Sequence, residues 1–301
     1  MASGTPNRLT RTAGPTESIA MRPNALPYLL LAPATLFLCA FFLYPFAFVA
    51  VDAFSRDGVA SLDNFRTMAG NWKFPETFRN TMLLALVVVP IQLAMALSMA
   101  TIVSRLNRGR SAILYIFAIP LGLSDLAAGL IWLAIFEQSG FLNSWLTALG
   151  VIEQPVMFLG YQNKLVIFIA VVIAEVWRAT AIIMVILVAG MGLIPKEYYE
   201  AAEVFGASPW KRFTKVTLPL LRPSLQTAII LRVILAFEVF AVVAALAGTQ
   251  FPVLMGETYH WQFAMQDRGV AAAFAMLILV ISIAFTLLFL YLLRVPREAR
   301  I

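Results

Sequence analysis

Five charged side chains sit where the sequence is otherwise almost wholly apolar: Asp125, Glu175, Arg178, Arg232 and Glu238. A charge at the centre of a bilayer costs about 2.5–3.5 kcal/mol on insertion scales, so each must face a partner or a wet cavity. Glu175 and Arg178 are three residues apart, a spacing that permits pairing on one helix. Arg232 and Glu238 are six apart and point to different sides. At 1.5 Å per residue, Glu175 lies about 15 Å below the outer end of its apolar run and Arg232 about 14 Å above the inner end of its own, so these two can meet. Asp125 and Glu238 each fall roughly 20 Å from the inner face on the same count. Two readings stay open. The charges hold helices, or a second chain, together; or they line a hydrophilic mid-membrane cavity that contacts the hydroxyls of a solute. Trp177 and Phe237 beside them can stack on a sugar ring or simply pack.

Other chemistries lack the residues they need. One histidine (His260) and one cysteine (Cys39) exclude a disulfide framework and any site built from several Cys or His ligands. His260 beside Trp261 reads as interfacial rather than catalytic. A Gly-x-x-x-x-Gly-Lys-Ser/Thr phosphate loop is absent from the sequence, so ATP is not bound here by that route. Neither a nucleophile–base pair nor a metal constellation is visible, which argues against a membrane-embedded enzyme.

The elements that must carry the five charges are long apolar helices. Of 301 residues 61% are hydrophobic and 13% charged, and the mean hydropathy is +0.86, which rules out a water-soluble enzyme. About 20 apolar residues cross the hydrocarbon, and six stretches qualify: 26–51, 81–103, 111–136, 165–192, 223–247 and 270–293. Asp125 falls in the third, Glu175 and Arg178 in the fourth, Arg232 and Glu238 in the fifth. The expected fold is an all-α integral membrane protein with six transmembrane helices. Residues 1–25 read as a disordered leader, 26–294 as the membrane domain and 295–301 as a tail. The first span reads as an uncleaved anchor rather than a signal peptide, being too long for one and lacking a small-residue cleavage site before Cys39. Gly129, Gly190 and Gly192 are expected to let helices approach closely.

The net charge of +6 would suggest phosphate contacts in a nucleic-acid-binding protein, but here the charges sit in short gaps between apolar runs. They report topology instead, and no nucleic acid is expected. Arg105, Arg108, Arg110, Lys196, Lys211, Arg212, Lys215 and Arg222, with the arginines of the leader and tail, share one side. Arg56, Arg66, Lys73, Arg79, Lys164 and Arg268 share the other. The richer side, with both termini, is expected to be cytoplasmic.

The loop after the fourth span, residues 195–219, is long for a plain connection. Pro195 suits a first helical position, Gly206 a left-handed helix end, Ser208 an N-cap and Pro209 the next helix's first residue. Tyr198, Ala201, Ala202 and Phe205 recur as one apolar stripe. The loop is expected to be two short helices joined by a glycine corner, its stripe packed on something: a lipid surface or a partner protein.

Glu200-Ala201-Ala202, three residues, Gly206, nine residues, Val216, one residue and Leu218-Pro219 resemble the EAA loop of ATP-binding-cassette importer permeases. Ala32-Pro33-Ala34, Tyr44-Pro45, Arg79-Asn80-Thr81, Ala128–Trp132 and Gly140–Asn143 resemble the sugar-type subfamily of these proteins, in particular its maltose-permease F-like branch. Phe205 stands where the family often has an acid. The resemblance implies one permease subunit of an ATP-driven, binding-protein-dependent importer in a bacterial plasma membrane. It implies a second homologous permease, two cytoplasmic ATPase subunits that bind ATP and Mg, an external solute-binding lipoprotein and surrounding membrane lipids as partners. No cofactor belongs to this chain. Glu200, Ala201, Ala202, Gly206, Leu218 and Pro219 are implied to couple to the ATPase. The cargo is expected to be a carbohydrate, a disaccharide such as trehalose or maltose. A phosphorylated polyol such as glycerol 3-phosphate is the alternative, since Arg178 and Arg232 can neutralise phosphate. A proton-coupled secondary transporter using the buried acids is a further rival, though no repeat between the halves supports it.

Overall fold

A computed structural model describes residues 26–106 and 108–293; the expected leader 1–25 and tail 295–301 lie outside the described residues. The chain divides into two compact units, up to Phe48 and from Val49 onward. The first holds α1 (Leu26–Leu38), a π-helical turn (Cys39–Leu43) and the start of α2 (Tyr44–Ala53), within an apolar run of 27 residues from Pro27 to Ala53. The π turn directly precedes Pro45, whose missing N–H interrupts the regular ladder.

The second unit begins with a hairpin, β1 (Ser55–Arg56) against β2 (Val59–Ala60), a small exception to the all-α expectation. Asp57 and Gly58 both adopt positive φ at its tip, as a two-residue hairpin turn requires. Next come α3 (Asp63–Gly70) and α4 (Phe74–Ser104), whose 31 residues span about 46 Å. α5 (Arg110–Ala118), α6 (Asp125–Phe136) and α7 (Phe141–Ala148) lead to the 29-residue α8 (Lys164–Gly192). After the connecting loop run α12 (Arg222–Phe237), α13 (Ala241–Ala247), α14 (Leu254–Tyr259) and α15 (Arg268–Leu292). The loop itself carries α9 (Lys196–Val204), α10 (Pro209–Arg212) and α11 (Leu218–Leu220).

Packing follows the small residues. α4 and α8 lie together along Ala96 and Ala100 of one and Leu187 and Met184 of the other, and α12 and α15 close the same core with Ala228, Val233, Ala273 and Phe274. In lipid, where the apolar effect between helices is weak, small side chains gain the close contact that holds them. A second cluster joins α8, α13 and the other end of α4 through Val88, Val171, Ala174, Val242 and Leu246, with Trp132 and Phe136 of α6 packed against it. A Cβ on Gly129 would stand 2.6 Å from that of Ala245, and one on Gly190 would run into the Ser224 side chain, so both glycines serve close approach. Gly192 does not: open space surrounds its Cβ position, because α8 ends there.

Two expected spans are broken. The third is α5, a 3-10 turn (Ile119–Gly122), extended residues Leu123 and Ser124, then α6. The cause is local: Pro120 and Gly122 stop one helix, and the Ser124 hydroxyl accepts the Ala127 N–H at 3.2 Å to start another. The fifth ends at Phe237 and restarts at Ala241, with Phe240 at φ −142°. Helices long and apolar enough to cross a membrane therefore number five among the described residues, or six when the pair Pro209–Leu220 and Arg222–Phe237, bent by 70°, is one broken span. Fold class agrees with expectation, and the span count does when that bent pair is one span; the unbroken third and fifth helices do not.

Candidate functional site

The breaks place the five charges in two environments. Gln92, two residues after Pro90 on α4, and Glu175, midway along α8, face Arg232 of α12 where all three helices meet. Arg232 Nη2 lies 2.9 Å from the Glu175 carboxylate, and both side chains are 1% exposed. Arg232 Nε donates to the Gln92 carbonyl oxygen, while Gln92 Nε2 donates to the Glu175 backbone carbonyl at 2.7 Å. The amide thus links a cation to a helix backbone and holds the guanidinium in one orientation. Three helices are tied by one charge-assisted network, which in low dielectric is strong when satisfied and costly when broken.

The network then runs outward. Arg178, one turn below Glu175 on α8, reaches that carboxylate at 3.5 Å and the Asp125 carboxylate at 2.8 Å. Exposure rises along this line, from 1% at Glu175 through 17% at Arg178 to 52% at Asp125. Asp125 occupies the first turn of α6, where the helix dipole favours a negative charge. Glu238 follows the last residue of α12 and is likewise exposed, with no ion pair among the described residues. Breaking the two helices converts both acids from groups stranded in a helix wall to groups at helix ends, open to whatever covers this face. The expected Glu175–Arg232 and Glu175–Arg178 contacts both form, and Asp125 joins them. Glu238 stands apart.

Sequence reading missed Gln92 as a member. The signal was present, because Gln92 is the one side-chain amide in an otherwise apolar run, and such groups seek partners in lipid. The aromatic neighbours pack. Phe237 is buried with its ring 5.2 Å from that of Phe285, and Trp177 meets Trp132 edge-on at 5.9 Å.

The loop is a second, separate site. α9 starts at Lys196 with Pro195 as its N-cap, one residue later than expected. Gly206 turns the chain at φ +69°, and the Ser208 hydroxyl accepts the Lys211 N–H at 3.3 Å. The second helical stretch is longer than a short hairpin arm: α10, a π turn (Phe213–Thr217) before Pro219, and α11 run on to Leu220. Glu203 pairs with Arg212 across the corner, and Thr217 donates to the Tyr199 hydroxyl at 3.3 Å. Tyr199 and Ala202 face inward, whereas Tyr198, Glu200, Ala201 and Phe205 are exposed, Phe205 at 88%. Of the stripe, Ala202 alone is partly covered within the chain; Tyr198, Ala201 and Phe205 are not.

This geometry, a bundle with broken inner helices and a glycine-cornered loop projecting from one end, has relatives. Residues 92–298 match the family of binding-protein-dependent transport system inner membrane components. The chain belongs to that family. Among its relatives the trehalose/maltose transport system permease protein MalF of Thermococcus litoralis is 30% identical over 94% of this chain and 98% of its own. The sn-glycerol-3-phosphate transport system permease protein UgpA of Agrobacterium fabrum is 27% identical over 90% and 95%. A chain in the crystal structure of a bacterial importer of the acidic polysaccharide alginate shares the fold, with a TM-score of 0.76 at 22% identity over 89% and 95% of the two chains. The family member described here is accordingly a permease subunit of an inner-membrane ABC importer that depends on a binding protein. It is not an enzyme, and a separate ATPase supplies the energy.

Proposed function

We propose that this permease forms half of the translocation path for a neutral carbohydrate, a disaccharide such as trehalose or maltose, beside a second homologous permease and above two ATPase subunits that bind ATP and Mg. One observation carries the choice of cargo: both arginines of the membrane core are already engaged by carboxylates, Arg232 by Glu175 and Arg178 by Asp125 and Glu175. The cluster of two cations and two anions is neutral, and Glu238 adds a further exposed acid. A phosphorylated polyol needs a cation free to neutralise it, and in this cluster both cations already have carboxylate partners. Hydroxyl groups, which donate as well as accept, suit exposed carboxylates. The similarity to the trehalose/maltose permease over nearly the whole chain supports the same reading.

The Glu200–Phe205 surface takes the coupling role in this proposal. Exposed Glu200, Ala201, Phe205 and the Gly206 corner enter the ATPase, while Leu218 and Pro219 lead back to α12. Both termini and this loop are cytoplasmic, and an external solute-binding lipoprotein delivers the cargo to the opposite end. Reconstitution of both permeases, the ATPase and the binding protein in liposomes tests the reading. ATP-dependent uptake of trehalose or maltose is expected, unaffected by an uncoupler. Preferential uptake of glycerol 3-phosphate would overturn the cargo. Labelling of a Glu200→Cys variant from outside the cell would overturn the orientation.

A further inference from the structure

At the end of the bundle opposite the Lys196–Leu220 loop, a cavity of about 450 Å³ opens between α13, α14 and the π turn His260–Ala264. That volume is in the range of small-molecule sites. Three rings form one of its walls: Phe240 and Tyr259 are stacked with centroids 5.2 Å apart, and Tyr259 meets Phe263 at 4.6 Å. Glu257, only 6% exposed, also lines the cavity, and its carboxylate has no hydrogen bond or ion pair among the described residues. What exposure Glu257 keeps is toward the cavity, so its oxygens are free to accept hydrogen bonds from a molecule bound there. Lys73, Thr249 and His260 add to the polar lining.

The floor is fixed rather than soft. Asn80, buried near the start of α4, donates to the Pro252 carbonyl at 3.0 Å, and the Leu254 N–H donates to the Thr81 hydroxyl at 2.9 Å. These bonds hold residues 252–254 against α4, so the segment that carries Glu257 keeps its place. Phe240 lies two residues after Glu238, which makes the cavity continuous along the chain with the break in the fifth span.

We infer that this cavity is a subsite for one sugar ring on the outer approach to the membrane path, with Glu257 accepting hydroxyl hydrogens and Phe240, Tyr259 and Phe263 packing against the ring's C–H face. The inference rests on the carbohydrate reading above and deepens it. Polarised C–H groups meet the negative faces of aromatic rings favourably. An acyl chain has no use for the carboxylate, and a phosphate is repelled by it. A free ammonium compound is disfavoured by Lys73 across the same space.

The test uses the complete transporter in liposomes, in a Cys39→Ser background with Thr249→Cys on the cavity wall. Uptake of trehalose, maltose and glycerol 3-phosphate is measured first. The rate at which an impermeant maleimide labels position 249 is then followed with and without millimolar amounts of each probe. A transported sugar is expected to slow labelling. Glu257→Gln should raise the sugar concentration needed for half-protection about tenfold or more, the factor for a hydrogen bond to a charged group. Tyr259→Leu, at a half-exposed ring, should do the same and serves if the buried variant fails to assemble. Uptake of a sugar with unchanged labelling would overturn the subsite alone. Uptake of neither sugar would overturn the carbohydrate reading and the subsite together. Protection that survives both substitutions would also reject it.

Discussion

Glu175 and Asp125 are both carboxylates bound to the same Arg178, yet they occupy opposite situations. Glu175 sits inside a continuous helix, 1% exposed, with a second guanidinium and the Gln92 bridge enclosing it. Asp125 sits at the first turn of a restarted helix, half exposed, with one partner at 2.8 Å. A carboxylate in a helix wall is surrounded by its neighbours' side chains and needs all its partners from the protein. One at a helix end has a free hemisphere. The difference teaches that the helix break, and not the residue type, decides which acid is enclosed by the bundle and which keeps an open side.

The largest effect should come from Arg232→Met. It leaves Glu175 buried without its principal partner, and breaking such a pair costs about 3–5 kcal/mol. The purified complex is expected to melt well below the parent, with little protein in the membrane. The double variant Glu175→Gln plus Arg232→Met removes both charges and should recover much of the loss. A double variant no more stable than the single one would mean that the network is not the brace described here.

Asp125→Asn comes next. Arg178 keeps Glu175, and a pair this exposed contributes about 0–1 kcal/mol, so melting should hardly change. Uptake is expected to fall several-fold with a raised KM. Loss of stability equal to that of Arg232→Met would erase the distinction between inner and outer acids. Unchanged uptake in both Asp125→Asn and Glu238→Gln would remove the exposed acids from the path.

In the loop between α9 and α10, Gly206→Ala costs about 1 kcal/mol through backbone conformation alone, since its φ is +69° and open space surrounds the Cβ position. The six spans should assemble normally while less ATPase co-purifies. Full ATPase retention, together with normal uptake for Glu200→Lys, would return the exposed stripe to a lipid-surface role. The smallest effect belongs to Arg56→Ala. Its contact with Asp267 is 3.6 Å long and partly solvated, although Arg56 also donates to Asn64 and Thr67. A shift of about 1 kcal/mol or less is expected, and uptake at matched abundance should stay near the parent's.

The two breaks differ in legibility for a physical reason. Pro120, Gly122, Ser124 and Asp125 are helix stop and start residues in the right order, so the third span's interruption could have been read from them. Between Phe237 and Ala241 stand Glu238, Val239 and Phe240, with neither glycine nor proline. That break is not written locally. Packing of α13 against α6, with Gly129 directly under Ala245, provides the tertiary contacts there. The cornered loop was legible because Gly206, Ser208 and Pro209 act within a few residues of themselves; only the extension of its second arm to Leu220 was not.

By itself the sequence determined the apolar spans, their grouping of positive charges, the family and the shape of the loop. These depend on composition, on the 3.6-residue period and on turn chemistry, all of which act over short stretches of chain. Tertiary structure alone decided which charges lock and which remain open. Glu175 and Arg232 are 57 residues apart in sequence, and Arg232 and Gln92 are 140 apart. Depth counting could place the first two at one level, but a guanidinium's partners depend on helix rotation and on where neighbouring helices stop. Glu257 shows the same limit. Nothing around it in the chain marks a buried, unpaired carboxylate, and only the approach of α13 and the pinned residues 252–254 put it against an aromatic wall.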